Sequence, residues 1–286
     1  MTYSAADIER KIKAFNTIED IISAMRAYAG ATVRKTEEVV RNIREREEHI
    51  FRLLSDLTTH YPYTLPGGMA RENQGKRVLV LFGSSQGFCG TFNEGIVNYL
   101  SGIVGREDVM FVVGDRLKNL IKARGIAFHG YVDSPVSLSG IKPHCREILS
   151  LAMEVYGKDD YNSLIFVFTG ITGNSATIAA EKILPPDWEK IQRIGPGATR
   201  PLTYLEPPML LARLLEELVH IKLHRGFTES LRSENWYRLR SMENASENLK
   251  RRLSDLDSRQ KYVRQEEITE EMLEILGSGM FYGKGE

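Results

Sequence analysis

The segment from Met209 to Leu276, MLLARLLEELVHIKLHRGFTESLRSENWYRLRSMENASENLKRRLSDLDSRQKYVRQEEITEEMLEIL, decides the fold. It contains no proline, and its only glycine is Gly226. Apolar residues fall at Leu210, Leu214, Leu218 and Ile221, then at Met242, Ala245, Leu249, Leu253, Leu256 and Val263, mostly in steps of three and four. That spacing makes one stripe along a helix, with Arg, Lys, Glu, Asp, Ser and Asn filling most positions between. At about 1.5 Å per residue such a helix runs ~100 Å, roughly three times the width of a small domain. A stripe that long needs a partner along its length.

The other end of the chain supplies one. From Ser4 to about His60 one heptad column reads Ile8, Phe15, Ile22, Ala29, Thr36, Ile43, Ile50, Leu57. A second, three residues on, reads Lys11, Ile18, Met25, Thr32, Val39, Arg46, Leu53, with Ile12 able to stand in for Lys11. A register kept that long predicts a coiled coil. All ten prolines lie between Pro62 and Pro208, so two long helices flank a turn-rich middle. Two such helices around a compact insert pair most simply as an antiparallel rod, with one end of the longer helix left over. The side chains shrink around Ala27, Ala29, Gly30 and Ala31, where another backbone could approach closely.

The middle, about residues 71–205, alternates strand and helix signals. Strands are expected at Arg77–Phe82, Val109–Val113, Ile126–Tyr131 and Leu164–Thr169, with edge strands at Ile191–Ile194 and Leu202–Leu205. Helices are expected at Thr91–Val104, Asp115–Arg124, Ile141–Tyr156 and Ser175–Leu184, the last stopped by Pro185-Pro186. The alternation predicts a mostly parallel, doubly wound sheet. The expected organisation is therefore an N-terminal coiled-coil helix (1–61), an α/β domain (71–205), a C-terminal coiled-coil helix (207–276) and a flexible tail (277–286).

Composition narrows the function. The chain has 286 residues, with 38 Lys+Arg against 38 Asp+Glu, so no global charge steers it toward nucleic acid or an anionic membrane. No apolar run is long enough to span a bilayer. The opening Met1-Thr-Tyr-Ser-Ala-Ala-Asp7 lacks the basic start and apolar centre of a signal peptide. The two cysteines, Cys89 and Cys145, have neither metal spacing nor a disulfide framework, which fits a reduced, cytosolic-facing protein. No cofactor or metal is expected.

Gly83-Ser-Ser-Gln-Gly87 follows a strand and matches G-x-S-x-G, the nucleophile elbow that would make Ser85 a hydrolase nucleophile. The insert has few strands after that point, and the only late histidines, His220 and His224, sit on the long helix. A glycine-permitted turn that aims the next helix is the plainer reading. The loop lacks both phosphate-binding signatures, G-x-x-x-x-G-K-[ST] and G-x-G-x-x-G. Cys89 at a helix start could be a nucleophile or a small buried apolar group. The charge runs Arg44–Glu48 and Lys250–Arg252 read as solvated faces with (i, i+4) pairs.

Taken together, three stretches resemble the gamma subunit of F-type ATP synthases, the central rotor stalk. Lys11-Ile-Lys-Ala-Phe15, Ile21-Ile-Ser-Ala-Met25 and Val33-Arg34 resemble that family's opening R-I-K-S-V-K-N-T-x-x-I-T-x-A-M. Gly87-Phe-Cys-Gly-Thr-Phe-Asn93 is similar to its G-L-C-G-G-[LF]-N. Glu229-Ser-Leu-Arg-Ser-Glu234, Arg238, Met242, Asn248 and Arg264-Gln265-x-x-Ile268-Thr269-x-Glu271 resemble its E-S-L-A-S-E, R-M-x-A-M, N and R-Q-x-x-I-T-x-E.

The resemblance implies an antiparallel coiled coil around an inserted Rossmann-like domain, working inside a ring of alpha and beta subunits. It implies contact with epsilon and the c-ring below, and a peripheral place on the cytoplasmic face of a bacterial plasma membrane, reached only through partners. Met25, Arg34, Arg238, Gln265, Thr269 and Glu271 match positions where the family meets the beta subunit or locks its helices. None is catalytic, because the ATP chemistry belongs to beta. Ser85-Gln86 stand where the family has Asp-Arg, and the tail is looser, which points to a divergent or alternative bacterial branch. The paired cysteines of chloroplast gamma subunits are absent. A coiled-coil scaffold or a hydrolase would be the competing classes.

Overall fold

The computed structural model describes residues 5–62, 76–157, 161–197 and 199–282, with backbone alone for Ala5 and for 276–282. The expected start of the sheet domain at Arg71 and the last residues of the tail lie outside these. The chain divides into two compact units, one formed by Met1–Tyr28 with Leu239–Glu286 and the other by Ala29–Arg238. Helix α1 (Ala5–His60) and helix α6 (Pro207–Tyr282) each contribute to both.

In the first unit the two helices meet through the expected stripes. Ile22, Met242 and Leu249 are buried together, with Phe15, Met25, Ala245 and Leu253 packed against them. In the second unit the ion pairs Glu37–Arg232, Arg44–Glu229 and Glu47–Lys222 run in opposite order along the two helices, so the pairing there is antiparallel. Beyond Val263 the described side chains of α6 are exposed, Ile268, Met272, Leu273 and Ile275 among them. The helix itself continues to Tyr282, past the Gly277 at which a flexible tail was expected to begin.

In the second unit the first heptad column of α1 is buried as expected, with Ala29, Thr36, Ile43 and Leu57 all inside. Thr36 satisfies its hydroxyl by donating to the carbonyls of Thr32 and Val33. The second column differs from expectation. Val40, Glu47 and Leu54 are buried, four residues on from the first column, while Arg46 and Leu53 are exposed. Both buried columns keep the seven-residue step; the second is set one position over, where Glu47 meets Lys222 and Arg225 of α6. Near its end α1 buries Phe51, Leu54 and Leu57 against Leu211 and Leu218 of α6 and Ile191.

The insert is a five-stranded sheet in the order β3-β2-β1-β4-β5. Strands β1 (Lys76–Phe82), β2 (Val109–Val113), β3 (Gly130–Val132) and β4 (Tyr161–Thr172) are parallel. Strand β5 (Ser175–Leu184) pairs antiparallel with β4. This corrects the helix expected at Ser175–Leu184. Thr172 pairs with Ser175 across a Gly173-Asn174 turn, and Gly173 takes φ 61°, so hairpin pairing overrides the helical propensity of its Ala, Glu and Lys.

The edge strand expected at Ile191–Ile194 is instead part of helix α5 (Trp188–Ile194). Asp187 caps it by accepting a hydrogen bond from the Lys190 amide at 3.0 Å. Leu202–Leu205 forms no strand. The remaining elements keep their types; β2 and α4 span the expected residues, and the others differ at their ends. Helix α2 is Phe92–Leu100, α3 is Asp115–Ala123 and α4 is Ile141–Tyr156.

Alternate residues of β1 face opposite layers, as the two-residue strand period requires. Leu79 and Leu81 pack with α2 and α3. Val78, Val80 and Phe82 pack with α4 and with Val219, Leu223, Phe227 and Leu231 of α6. The long helix is thus one of the layers of the sheet domain as well as half of the coil. Gly226 permits its closeness, because a Cβ there would lie 3.0 Å from Cζ of Phe82.

Candidate functional site: the clamp on the long helix and the coupling positions

In open α/β sheets the carboxyl ends of strands at the point where the winding reverses form a crevice that commonly takes a ligand. Here the reversal lies between β1 and β4, and the crevice is filled by α6. Ser230 Oγ donates to the carbonyl of Phe82 at 3.2 Å, and Ser233 Oγ donates to that of Thr169 at 2.6 Å. These are the last residue of β1 and a residue near the end of β4. The two serines lie three apart, so one helix face meets both strand ends at once.

Arg238 completes the clamp. Its Nε and Nη2 donate to the Gly87 carbonyl at 3.3 and 3.2 Å, Nη2 also to Glu234 at 2.6 Å, and Nη1 to Asn235 Oδ1 at 2.9 Å. Burial pushes the Glu234 carboxyl up despite that partner. The loop carrying Gly87 is itself fixed by Asn93. Its Oδ1 accepts from the Ser84 amide at 3.0 Å, and its Nδ2 donates to Ser84 Oγ at 2.8 Å. The loop and long-helix motifs noted in the sequence are therefore two halves of one joint.

A second joint is electrostatic. Glu47 of α1, Lys222 and Arg225 of α6 and Glu181 of β5 form a closed set of ion pairs, with Lys222 Nζ 3.0 Å from Glu47. Two cations meet two carboxylates, so the cluster is neutral while Glu47 and Lys222 are both almost fully buried. Arg44 pairs with the buried Glu229 at 2.6 Å, and Arg232 reaches Glu37 at 3.1 Å. Sequence reasoning passed over this set. The available signal was a lysine and an arginine amid the apolar residues of α6, and a glutamate one turn on from Ile43.

The positions expected to serve coupling fall into three environments. Met25 is half-buried against the Ile22–Met242 cluster. Arg34, Gln265, Thr269 and Glu271 are exposed on their helices, and Thr269 donates back to the Gln265 carbonyl at 2.7 Å. Arg238 is buried inside the chain.

Ser85 is not placed as a nucleophile. Its hydroxyl accepts from the amides of Asp115 at 3.2 Å and Ser134 at 2.9 Å and donates to Asp133 at 3.4 Å. It joins the starts of two neighbouring segments and has no histidine partner among the described residues. Cys89 and Cys145 are free and buried. Burial raises both thiol pKa values, that of Cys145 to about 12, which disfavours the reactive thiolate. Among the described residues, no helix is long and apolar enough to cross a membrane.

Residues 4–280 match the family described as ATP synthase, and the chain belongs to that family. It is 25% identical over 289 residues to an ATP synthase gamma chain of Bdellovibrio bacteriovorus, covering 96% of this chain and 97% of that one. A gamma chain of Bacteroides thetaiotaomicron is 27% identical over 301 residues, with 97% and 99% covered. Among solved structures, a chain of the Euglena gracilis mitochondrial ATP synthase, OSCP/F1/c-ring, superposes with TM-score 0.64 at 19% identity, covering 99% of this chain and 96% of that one. That likeness extends to the fold.

Proposed function

We propose that the chain is the central rotor stalk of an F-type ATP synthase or ATPase, a gamma-type subunit that transmits torque between the c-ring and a catalytic ring of alpha and beta subunits. The observation that carries this is the family match over residues 4–280, which takes in both long helices and the insert between them. Gamma-chain relatives of nearly the same length support it, since their alignments leave almost nothing of either chain uncovered. The chain has no active site of its own in this reading. It forces the catalytic sites of its partners out of phase as it turns.

The physical requirement is stiffness. Paired helices resist twist better than one, and burial of their stripes at ~25 cal/mol per Å2 keeps them paired under load. The sheet domain can pass force only if it is fixed to the shaft, and Ser230, Ser233, Arg238 and the Glu47 cluster fix it. The exposed apolar residues from Ile268 to Ile275 suit a surface that turns in a sleeve without directional bonds. Met25, Arg34, Gln265, Thr269 and Glu271 are assigned to contacts with the beta subunit, and Arg238 to locking the helix. Leu202 and Tyr204, fully exposed beside the start of α6, suit the end that meets epsilon and the c-ring. A peripheral place on the cytoplasmic face of a bacterial plasma membrane follows from those partners, and bacterial relatives support it.

The test is reconstitution of the full-length chain with its alpha and beta subunits and membrane sector. One copy should assemble per catalytic ring, and Met25→Lys should lower the ions pumped per ATP by placing a cation at the beta contact. Self-association through the heptads without capture of a nucleotide-binding hexamer would identify a scaffold instead. Unchanged pumping per ATP in Met25→Lys would remove Met25 from the coupling path.

A further inference from the structure

We propose that the cleft between α1, α4 and α6 binds the diphosphate group of a small molecule, either free pyrophosphate or the diphosphate of a nucleotide. The cleft has a volume of about 300 Å3 and lies wholly within the second unit. Arg46 enters it from α1, Lys142 and Arg146 from α4, and His220 and His224 from α6, against a single lining carboxylate, Glu217.

Among the described residues, the cations there differ from their neighbours in having no internal partner. Arg44, Lys222, Arg225 and Arg232, on the same two long helices, are all paired with carboxylates of this chain. Arg46, Lys142 and Arg146 make no hydrogen bond or ion pair among the described residues. Three helices thus converge unneutralised positive charge on one concavity. The field is felt inside it, because burial, Lys142 and Arg46 together lower the His224 pKa.

Size and shape select the ligand class. A cleft of this volume is at the small end of ligand sites, well above a bound water and well below a docked protein surface. Two guanidinium forks and an ammonium suit an anion with several charged oxygens on one compact group, which Arg recognises bidentately. Buried Ile43, Cys145 and Ile221 give the cleft an apolar lining against which a sugar or base could rest. The site stands apart from the strand-end crevice and does not depend on the rotor reading.

The test is titration of the isolated full-length chain, magnesium-free and at low salt, with inorganic pyrophosphate, ADP and inorganic phosphate, followed by calorimetry and by the imidazole resonances of His220 and His224. Pyrophosphate should bind at one saturable site and shift both histidines. The exposed double variant Lys142→Gln/Arg146→Gln should weaken it at least tenfold with an unchanged far-ultraviolet spectrum, while Lys250→Gln/Arg251→Gln should leave it unaltered. Equal affinity for ADP and pyrophosphate would assign recognition to the diphosphate alone, and tighter ADP binding would add the nucleoside. Absence of saturable binding, equal loss in both double variants, or binding of an acidic peptide in place of pyrophosphate would overturn the proposal.

Discussion

Arg238 reaches the carbonyl oxygen of Gly87 with two nitrogens, Nε at 3.3 Å and Nη2 at 3.2 Å, and so ties the long helix to the loop after the first strand. The same side chain neutralises Glu234, which is almost as buried as the arginine itself. Arg238→Ala would strand that carboxylate and leave the Gly87 carbonyl without its donor. The expected loss is ~3–5 kcal/mol of stability, read from urea denaturation of the full chain. Arg238→Lys keeps the charge without the fork and should lose less. A loss below ~1 kcal/mol for the alanine variant would mean that the joint is not structural.

Glu47 holds two cations in a neutral cluster, so its removal should be felt by both. Glu47→Gln leaves Lys222 and Arg225 sharing Glu181 and should cost about 3 kcal/mol. Glu47→Leu combined with Lys222→Met leaves the Arg225–Glu181 pair and restores neutrality, and should recover most of that. A double-mutant cycle in denaturant measures the coupling directly. Additive losses would show that the two side chains do not act together.

Gly226 sets two effects against each other. Alanine in a helix interior gains ~1 kcal/mol over glycine, yet its Cβ would crowd Phe82. That ring is wedged edge-on among Phe166, Phe168 and Phe227, with centroids 5.5, 6.5 and 5.0 Å away. Gly226→Ala should therefore be near neutral, while Gly226→Val should destabilise by about 2 kcal/mol through overpacking. Thermal melts of the two variants decide it, and a stabilised valine variant would contradict the packing.

The α6 helix reaches Tyr282, but the described side chains beyond Val263 are exposed. Truncation from Gly277 onward should leave rotation-coupled ATPase activity largely intact. Complete loss of coupling in ion-pumping assays would show that the last turns bear load.

His224 gives a pH signature. Burial first, then Lys142 and Arg46, hold its folded-state pKa below the ordinary 6.5. The unfolded chain therefore takes up the proton first, so this histidine favours folding at neutral pH and loses that contribution as pH falls below the unfolded value. An imidazole titration by NMR should show the depressed pKa, and Lys142→Gln should raise it. No change in that variant would mean the lysine does not face the ring.

The sequence made the coil and the sheet legible for different reasons. The first heptad column of α1 depends only on local spacing, and Ile8, Ile22, Ala29, Ile43 and Leu57 are all buried as it requires. The second column sits at Val40, Glu47 and Leu54 because the partners on that side, Lys222 and Arg225 for Glu47 and Leu211 and Leu218 for Leu54, are tertiary neighbours that local spacing does not encode. Strand β5 was missed because its pairing with β4 is a tertiary fact, although Gly173-Asn174 was a readable hairpin turn. Ser230 and Ser233 were visible as a motif but not as a clamp, since nothing local says that a helix far along the chain fills the strand-end crevice. The Glu47 cluster was hidden for the same reason, with its four members spread over three elements.

That crevice has one further consequence. Where a dissociable guest fills it, occupancy rises and falls with concentration, and the surrounding loops can respond. Here the guest is covalently part of the host, so its local concentration never drops and no cellular metabolite level can empty the seat. A domain of a kind often used for sensing is thereby turned into a permanent flange, keyed to its axle.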